Sequence, residues 1–203
     1  MAPIVSKDYK ERRKSSILSS ALECFAQKGF VATTVDDIGA HSGISKGSIY
    51  NYFESKEAIY FELLNTATER DKENITKNFS TLRSSLSKLS YMFDVFLTLD
   101  PFNPKRLGTT VVFYEFTFHC TRSEKLLDLV TKRGNFLLNI IKETLEEGQE
   151  SGEIDKNIDV NLYAHRFWLI IDGVSLQTIH KDFPYYDVLR EMKEMYLEEI
   201  KAK

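Results

Sequence analysis

The sequence predicts an all-α protein in which a small N-terminal helical domain, residues 1–54, precedes a larger helical domain, residues 55–203. Apolar residues recur at spacings of three and four along most of the chain, which is the period of an amphipathic helix. No partner strand is evident for the one segment that is rich in β-branched residues. A hydrophobic content of 42% in 203 residues is enough to bury a sizeable core in such a protein.

The first helix is predicted over residues 8–28, because apolar residues repeat there at helical spacing and Gly29 follows them. Charge separates this end of the chain from the rest. Residues 1–56 hold eight Lys/Arg and six Asp/Glu, a net charge of +2, whereas residues 57–203 carry a net charge of -5. The positive charge is therefore local, which favours contact with nucleic acid at the N-terminal end rather than along the whole chain.

Two short helices joined by a tight turn are predicted in residues 34–53, TVDDIGAHSGISKGSIYNYF. Thr34 and Asp37 have the spacing of a helix-opening pair. Gly43 can take the left-handed conformation that a sharp turn needs, and Ser45 is a suitable cap for the second helix. This arrangement is a helix-turn-helix, whose second helix can enter the major groove of DNA.

The stretch TTVDDIGAHSGISKGSIYNYFESKEAIYFELL, residues 33–64, resembles the DNA-binding domain of the TetR family of bacterial transcriptional repressors. The run GISKGSIY, the YF pair and the SKE triplet stand at the family's spacing, and the close resemblance covers roughly Tyr9–Leu64. It implies that residues 1–54 bind double-stranded operator DNA. It also implies that residues 55–203 bind an effector and dimerise.

The resemblance further implies which side chains contact DNA. Phosphate contacts are expected for Thr34, Ser48, Tyr52 and Lys56, base-edge positions for Lys46, Gly47 and Asn51, either role for Tyr50, and further contacts for Thr33 and Ser45. Hydroxyl and ammonium groups suit the DNA backbone, glycine permits close approach, and an asparagine amide can pair with adenine. Tyr52 stands where the family often has His, a departure expected to alter phosphate geometry more than sequence choice.

Six further helices are predicted after Phe53, beginning near Ser55, Leu82, Thr109, Ser123, Asp159 and Tyr186. The third of these is ambiguous. Residues 109–120, TTVVFYEFTFHC, are β-branched and aromatic enough to suggest a strand. A helix is predicted because no partner strand is evident and because a helix that is apolar nearly all round is typical of a bundle centre.

A homodimer is expected, because one helix-turn-helix reads only a few base pairs and two must lie about 34–36 Å apart on a pseudo-palindrome. The last two long helices are the predicted interface. Its candidate residues are Leu169, Gly173, Leu176, Leu189, Met192 and Tyr196. The alternative is that these residues close the core of the single protomer.

An effector pocket between the middle helices is implied by the resemblance, and ligand pockets are mostly apolar with few polar groups. Its candidate residues are Phe93, Phe96, Phe113, Phe116, His119, Arg166 and Trp168. They would suit a small apolar or amphipathic molecule. The alternative for each is an ordinary core or surface role.

Catalysis, a metal site and a cofactor are not expected. The two cysteines and four histidines show no metal-ligand or nucleophile spacing, no signal segment is evident, and the longest apolar run, Phe167–Ile171, is far too short to cross a bilayer. A cytoplasmic repressor with no membrane partner, released from its operator by an inducer, is therefore expected. The alternative is a DNA-binding regulator of the same fold that a partner protein controls or that has no inducer.

Overall fold

The computed structural model describes residues 7–202, except for the side chains of Lys7, Lys105 and Leu107. Residues 1–6, in which no signal segment was evident, lie outside it. The described helices are α1 Lys7–Lys28, α2 Val35–Ser42, α3 Lys46–Tyr50, α4 Lys56–Phe79, α5 Ser85–Leu97, α6 Pro104–Cys120, α7 Glu124–Ser151, α8 Val160–Gln177 and α9 Tyr185–Ile200.

The predicted all-α fold class is confirmed. Residues 109–120 lie within α6, so the helix predicted there in spite of its β-branched composition is confirmed as well. The β-type pairing found between residues 7 and 202 is one isolated bridge joining Ile154 to Lys201. In this described part, none of the helices combines the length and the apolar character that crossing a membrane would need.

Polar caps fix where several helices begin. The Asp37 N–H donates to the Thr34 hydroxyl at 3.1 Å, and the Thr34 N–H donates to the Asp37 carboxylate at 2.8 Å, which is the reciprocal pair that the sequence predicts. Three further helices, α3, α7 and α8, are capped by Ser45, Ser123 and Asp159. Each of these side chains accepts from the N–H of the residue three positions later. Such caps satisfy N–H groups that have no partner inside a helix.

The chain divides into two compact units by its internal contacts. The first unit comprises the chain up to Asp71 together with Gly108–Arg122, and the second comprises Lys72–Leu107 together with the chain from Ser123 onward. Helices α4 and α6 therefore each contribute residues to both units. The boundary predicted after residue 54 concerns the division of function and stays a prediction.

The core of the first unit is built around four aromatic side chains from α1, the segment after it, α4 and α6. Tyr60 lies 5.3 Å from Phe25 and 4.5 Å from Phe116 between ring centroids. Phe30 lies 5.0 Å from Phe116, and all four rings are buried. Aromatic pairs at these separations stabilise a fold beyond the area that they bury.

The core of the second unit joins α5, α8 and α9. Phe93 lies 4.6 Å from Phe167 and 5.4 Å from Tyr196 between ring centroids. The turn after α7 adds the buried side chain of Ile154, which packs on Gly148. A Cβ on Gly148 would lie 2.4 Å from the Ile154 Cδ1, so only glycine allows this contact.

Candidate nucleic-acid interface

The turn between α2 and α3 sets the direction of α3. Gly43 has a φ of 67°, which ends α2 and reverses the chain. A Cβ on Gly39 would lie 2.9 Å from the Ile44 carbonyl oxygen, so the main chain of the turn approaches α2 closely. Ile44 and Ile49 are buried. One side of α3 is thereby fixed against the protein and the other is turned outward.

The outward side of α3 carries the predicted polar face. Ser45, Lys46, Gly47, Tyr50 and Asn51 are exposed, and Ser48 and Tyr52 are half-buried. A Cβ on Gly47 would meet none of the described atoms within 4 Å, other than those of its own helix backbone and chain neighbours. The predicted outward orientation is confirmed, and contact of these residues with DNA stays a prediction.

Several polar groups on this face already take part in hydrogen bonds within the protein. The Lys46 ammonium donates to the Asp36 carboxylate at 2.7 Å, and this bond raises the pKa of Lys46 above its ordinary value. The Ser45 hydroxyl accepts from the Ser48 N–H at 3.3 Å and lies 2.9 Å from the Ser48 hydroxyl. A phosphate that binds Lys46 would therefore have to replace a carboxylate.

Thr33 and Thr34 are neighbours with different environments. The Thr33 side chain is 0% exposed, and its hydroxyl donates to the carbonyl oxygens of Gly29 at 2.7 Å and Cys24 at 3.2 Å. A direct DNA contact by Thr33 is therefore wrong, because a buried hydroxyl cannot reach a phosphate. Thr34 is exposed, although its hydroxyl is already the cap of α2.

Asp37 ties the start of α2 to the end of α1. The Lys28 ammonium donates to the Asp37 carboxylate at 2.5 Å. This hydrogen bond, followed by those from Thr34, holds the pKa of the Asp37 carboxyl well below its usual range. The pair is exposed enough to be screened by solvent, so it directs geometry more than it adds stability.

Residues 29–34, called the α1–α2 turn, receive the side chain of Lys56 from α4. The Lys56 ammonium donates to the main-chain oxygens of Phe30 at 2.7 Å, Thr33 at 2.8 Å and Val31 at 3.2 Å. It also lies 4.5 Å from the centroid of the Phe30 ring. Burial lowers the pKa of this ammonium below its ordinary value.

The family model described as bacterial regulatory proteins, tetR family, matches residues 17–63, which run from the middle of α1 into α4 and include the whole helix-turn-helix. These residues are identified as a TetR-type DNA-binding domain. With the complete helix-turn-helix described above, the protein is a DNA-binding transcriptional regulator.

Relatives that resemble the chain over most of its length are HTH-type transcriptional regulators. An uncharacterized HTH-type transcriptional regulator of Bacillus subtilis, YfiR, is 27% identical over 98% of this chain and 97% of its own. QacR of Staphylococcus aureus, an HTH-type transcriptional regulator, is 28% identical over 79% of this chain and 83% of its own.

Solved structures share the fold. FadR of Bacillus subtilis in complex with stearoyl-CoA has a TM-score of 0.78 at 22% identity and covers 92% of this chain and 98% of its own. A putative transcriptional regulator of Saccharomonospora viridis in complex with choline has a TM-score of 0.81 at 19% identity, covering 95% of this chain and 100% of its own. These likenesses show that the fold is shared over nearly the whole chain.

The predicted effector contacts occur in both units of the chain. Phe113, Phe116 and His119 belong to the first unit, and Phe93, Phe96, Arg166 and Trp168 belong to the second. His119 Nε2 lies 3.3 Å from the Glu57 carboxylate. Arg166 donates to the two Glu199 oxygens at 2.9 and 2.6 Å, and the Trp168 indole N–H donates to a main-chain carbonyl at 3.2 Å. Effector contact stays a prediction for all seven.

Two of the six predicted dimer residues belong to the core of the protomer. Leu189 is 0% exposed and Tyr196 is 1% exposed, and the Tyr196 hydroxyl donates to the Tyr163 carbonyl oxygen at 3.0 Å. An interface role is therefore wrong for these two residues, and closure of the protomer's own core is confirmed. The helical period identifies the apolar side of α9, but α5 and α8 cover that side within one protomer.

The other four dimer candidates remain accessible. Leu169, Leu176 and Gly173 are exposed and Met192 is half-buried. Leu169, Gly173 and Met192 line a groove between α8 and α9 together with Val188 and Phe183. Exposed apolar residues that the sequence-based prediction missed are Leu162, Ile179 and Met195. The seven-residue spacing from Leu162 through Leu169 to Leu176 is the signal that identifies this surface.

Proposed function

We propose that this regulator is a homodimeric repressor that binds a pseudo-palindromic operator through α3 and releases it when a small molecule binds. The observation that supports DNA binding most directly is the exposed side of α3. Ammonium, hydroxyl and amide groups lie there together, directly after a turn that fixes the direction of the helix. A bacterial repressor acts on DNA in the cytoplasm, and the proposal therefore places this protein there.

The exposed groups divide into two roles in this proposal. Hydroxyl groups of Ser48, Tyr52 and Thr34 bind phosphates and set the position of the protein on the duplex. Asn51 and Lys46 approach base edges, where an amide can bind adenine through two hydrogen bonds and an ammonium can bind guanine. Both residues are exposed, so neither must leave a buried site to do this.

Dimerisation in this proposal uses the exposed side of α8. Leu169 is 69% exposed and belongs to the row of leucines at seven-residue spacing, which is typical of helices that pack lengthwise on a partner. A Leu169→Glu variant should sediment as a monomer and lose operator affinity. Leu127→Glu, a change at a 44% exposed leucine of α7, is the matched control and should remain dimeric. A dimeric Leu169→Glu protein would contradict this interface.

The effector in this proposal is a small apolar or amphipathic molecule. Support comes from the FadR and Saccharomonospora viridis structures, which are complexes with stearoyl-CoA and choline. Phe96 and Trp168 are half-buried and provide aromatic surface in the second unit, next to the buried ring of Phe93. Because α4 contributes residues to both units, an effector that favours another conformation of the second unit would displace α4 and lower DNA affinity.

Selection from a random duplex pool, followed by fluorescence anisotropy on the enriched sequence, tests the DNA-binding part. Asn51→Ala should lose about 1–3 kcal/mol of discrimination at one base position, because a bidentate amide contact is removed. An equal loss on every sequence would count against base readout by Asn51. Failure of the wild-type protein to enrich any duplex would contradict the proposed function itself.

A thermal-shift screen with lipophilic, acyl and cationic compounds tests the effector part. A true effector should raise the melting temperature of the free protein and weaken operator binding at the same concentrations. No stabilisation by any compound would favour the alternative, a regulator of the same fold that a partner protein controls or that has no inducer.

A further inference from the structure

We propose that Lys56 is a positioning residue that holds the α1–α2 turn, and through it the helix-turn-helix, instead of contacting a DNA phosphate. This inference rests on the proposed DNA-binding function. It departs from the phosphate contact that the sequence resemblance implies for this residue.

The donors of Lys56 are fully used inside the protein. A lysine ammonium has three N–H donors and no acceptor. Three main-chain oxygens of the α1–α2 turn, those of Phe30, Val31 and Thr33, accept from it at 2.7, 3.2 and 2.8 Å. The Phe30 ring lies against the same cation, 4.5 Å away. A phosphate could bind this ammonium only after at least one of these bonds had been broken.

The course of the turn explains why its oxygens converge. Gly29 ends α1 with a φ of 80°, and its N–H donates to the Phe25 carbonyl oxygen at 2.8 Å. The chain then reverses within a few residues before Thr34 caps α2. Carbonyl groups in such a reversal have no helical partner, so a cation placed among them satisfies them.

A second charged side chain binds the main chain of the same residue, Phe30. The Glu115 carboxylate of α6 accepts from the Phe30 N–H at 2.6 Å, while the Phe30 carbonyl oxygen accepts from Lys56. A Cβ on Gly29 would lie 2.8 Å from Glu115 Oε2, so glycine allows the carboxylate to approach. The turn is thus fixed between an ammonium of α4 and a carboxylate of α6.

Fixing the turn fixes the DNA-binding helices. The turn ends at Thr34, which is the cap of α2. A Cβ on Gly39 of α2 would lie 2.9 Å from the Ile44 oxygen in the turn before α3 and 3.8 Å from Ile49 Cδ1 of α3, so α2 and α3 lie close together. A displaced turn would therefore tilt α2 and α3 together relative to α4. In a dimer, such a tilt changes the distance between the two recognition helices, which must match the half-site spacing of the operator.

Salt-dependent affinity of Lys56 variants distinguishes positioning from phosphate contact. Lys56→Met should lose about tenfold or more in affinity, with an unchanged slope of log K against log salt. Loss of a phosphate contact would instead reduce the magnitude of that negative slope by about 0.9. Lys56→Arg should lose a comparable amount, because a planar guanidinium fits paired oxygens and not three convergent carbonyls. Lys46→Met, a change at the exposed ammonium of α3 that is proposed to bind a base edge, is the matched control, and its loss of affinity should depend on the base sequence of the duplex.

Lysine footprinting of the wild-type protein gives a measurement that needs no variant. Reductive methylation followed by mass spectrometry should modify Lys46 quickly in the free protein and slowly in the operator complex. Lys56 should be protected in both states. Protection of Lys56 only in the complex, a lower salt slope for Lys56→Met, or full affinity of Lys56→Arg would each overturn the positioning role while DNA binding stands. A wild-type protein that binds no duplex would remove the proposed function, and the positioning role with it.

Discussion

The α1–α2 turn of the first unit and the α5–α8–α9 core of the second unit are held by different forces. The turn depends on polar bonds at single atoms: Glu115 accepts from the Phe30 N–H, and Lys56 donates to the Phe30 carbonyl oxygen. The second core depends on the volume of interlocking rings such as Phe93 and Phe167. A change in the turn should therefore alter geometry more than stability, and a change in the core should do the reverse.

The largest effect on stability is expected for a change in the α5–α8–α9 core of the second unit. Phe93→Ala should lower the free energy of unfolding by about 3–5 kcal/mol, because it removes a buried ring and leaves a cavity. Urea denaturation followed by circular dichroism measures this change. Phe118→Ala, a change at a phenylalanine that is 70% exposed, is the control and should stay within about 0.5 kcal/mol of the wild type. A loss below about 1 kcal/mol for Phe93→Ala would break the comparison.

A smaller loss of unfolding free energy is expected at Thr34, the last residue of the α1–α2 turn. Thr34→Ala removes the cap of α2 and should cost about 0.5–2 kcal/mol in the same unfolding measurement. Thr34→Ser keeps the hydroxyl and should restore most of that stability. If serine were no better than alanine, the contribution of Thr34 would come from its methyl group and the polar character assigned to this region would be wrong.

The smallest effect is expected at the surface pair of α8 and α9. Hydrogen bonds from Arg166, and then from Tyr163, lower the pKa of the Glu199 carboxyl to about 2 from an ordinary 4.5. A group with a depressed folded pKa adds stability above its unfolded pKa and loses it as the pH falls through the folded value.

Glu199→Gln should therefore reduce the fall in stability between about pH 4.5 and pH 2. The change should stay below about 1 kcal/mol because the carboxylate is partly exposed and screened. Stability measured at a series of pH values tests this, with Glu198→Gln as the control at an exposed neighbour. Identical pH profiles for Glu199→Gln and the wild type would exclude a contribution from the pair.

The sequence predicts the helices well because periodicity and caps are local properties. Thr34, Ser45 and Ser123 begin helices as their positions indicate, and residues 109–120 form a helix in spite of their composition. The outward side of α3 also follows from local spacing. Periodicity cannot show which neighbour covers an apolar side. For that reason it assigns Leu189 to an interface, although α5 and α8 bury this residue within the protomer.

Polar contacts between distant segments are the other part that the sequence does not show. Thr33 and Thr34 are the same residue type side by side, and only the fold decides that one hydroxyl is buried and the other exposed. The contact of Glu115 with Phe30 spans 85 positions along the chain, and no motif marks it. The same holds for Lys56, whose surroundings depend on where the α1–α2 turn folds back.

Gly47 occupies a position where the fold imposes almost no requirement. A side chain placed there would extend into open space, and alanine in a helix is intrinsically more favourable than glycine. Mutations at this position could therefore change the preferred binding sequence without any compensating change elsewhere. This position lies apart from the residues that hold the fold together, so a change of target sequence there carries little risk to folding.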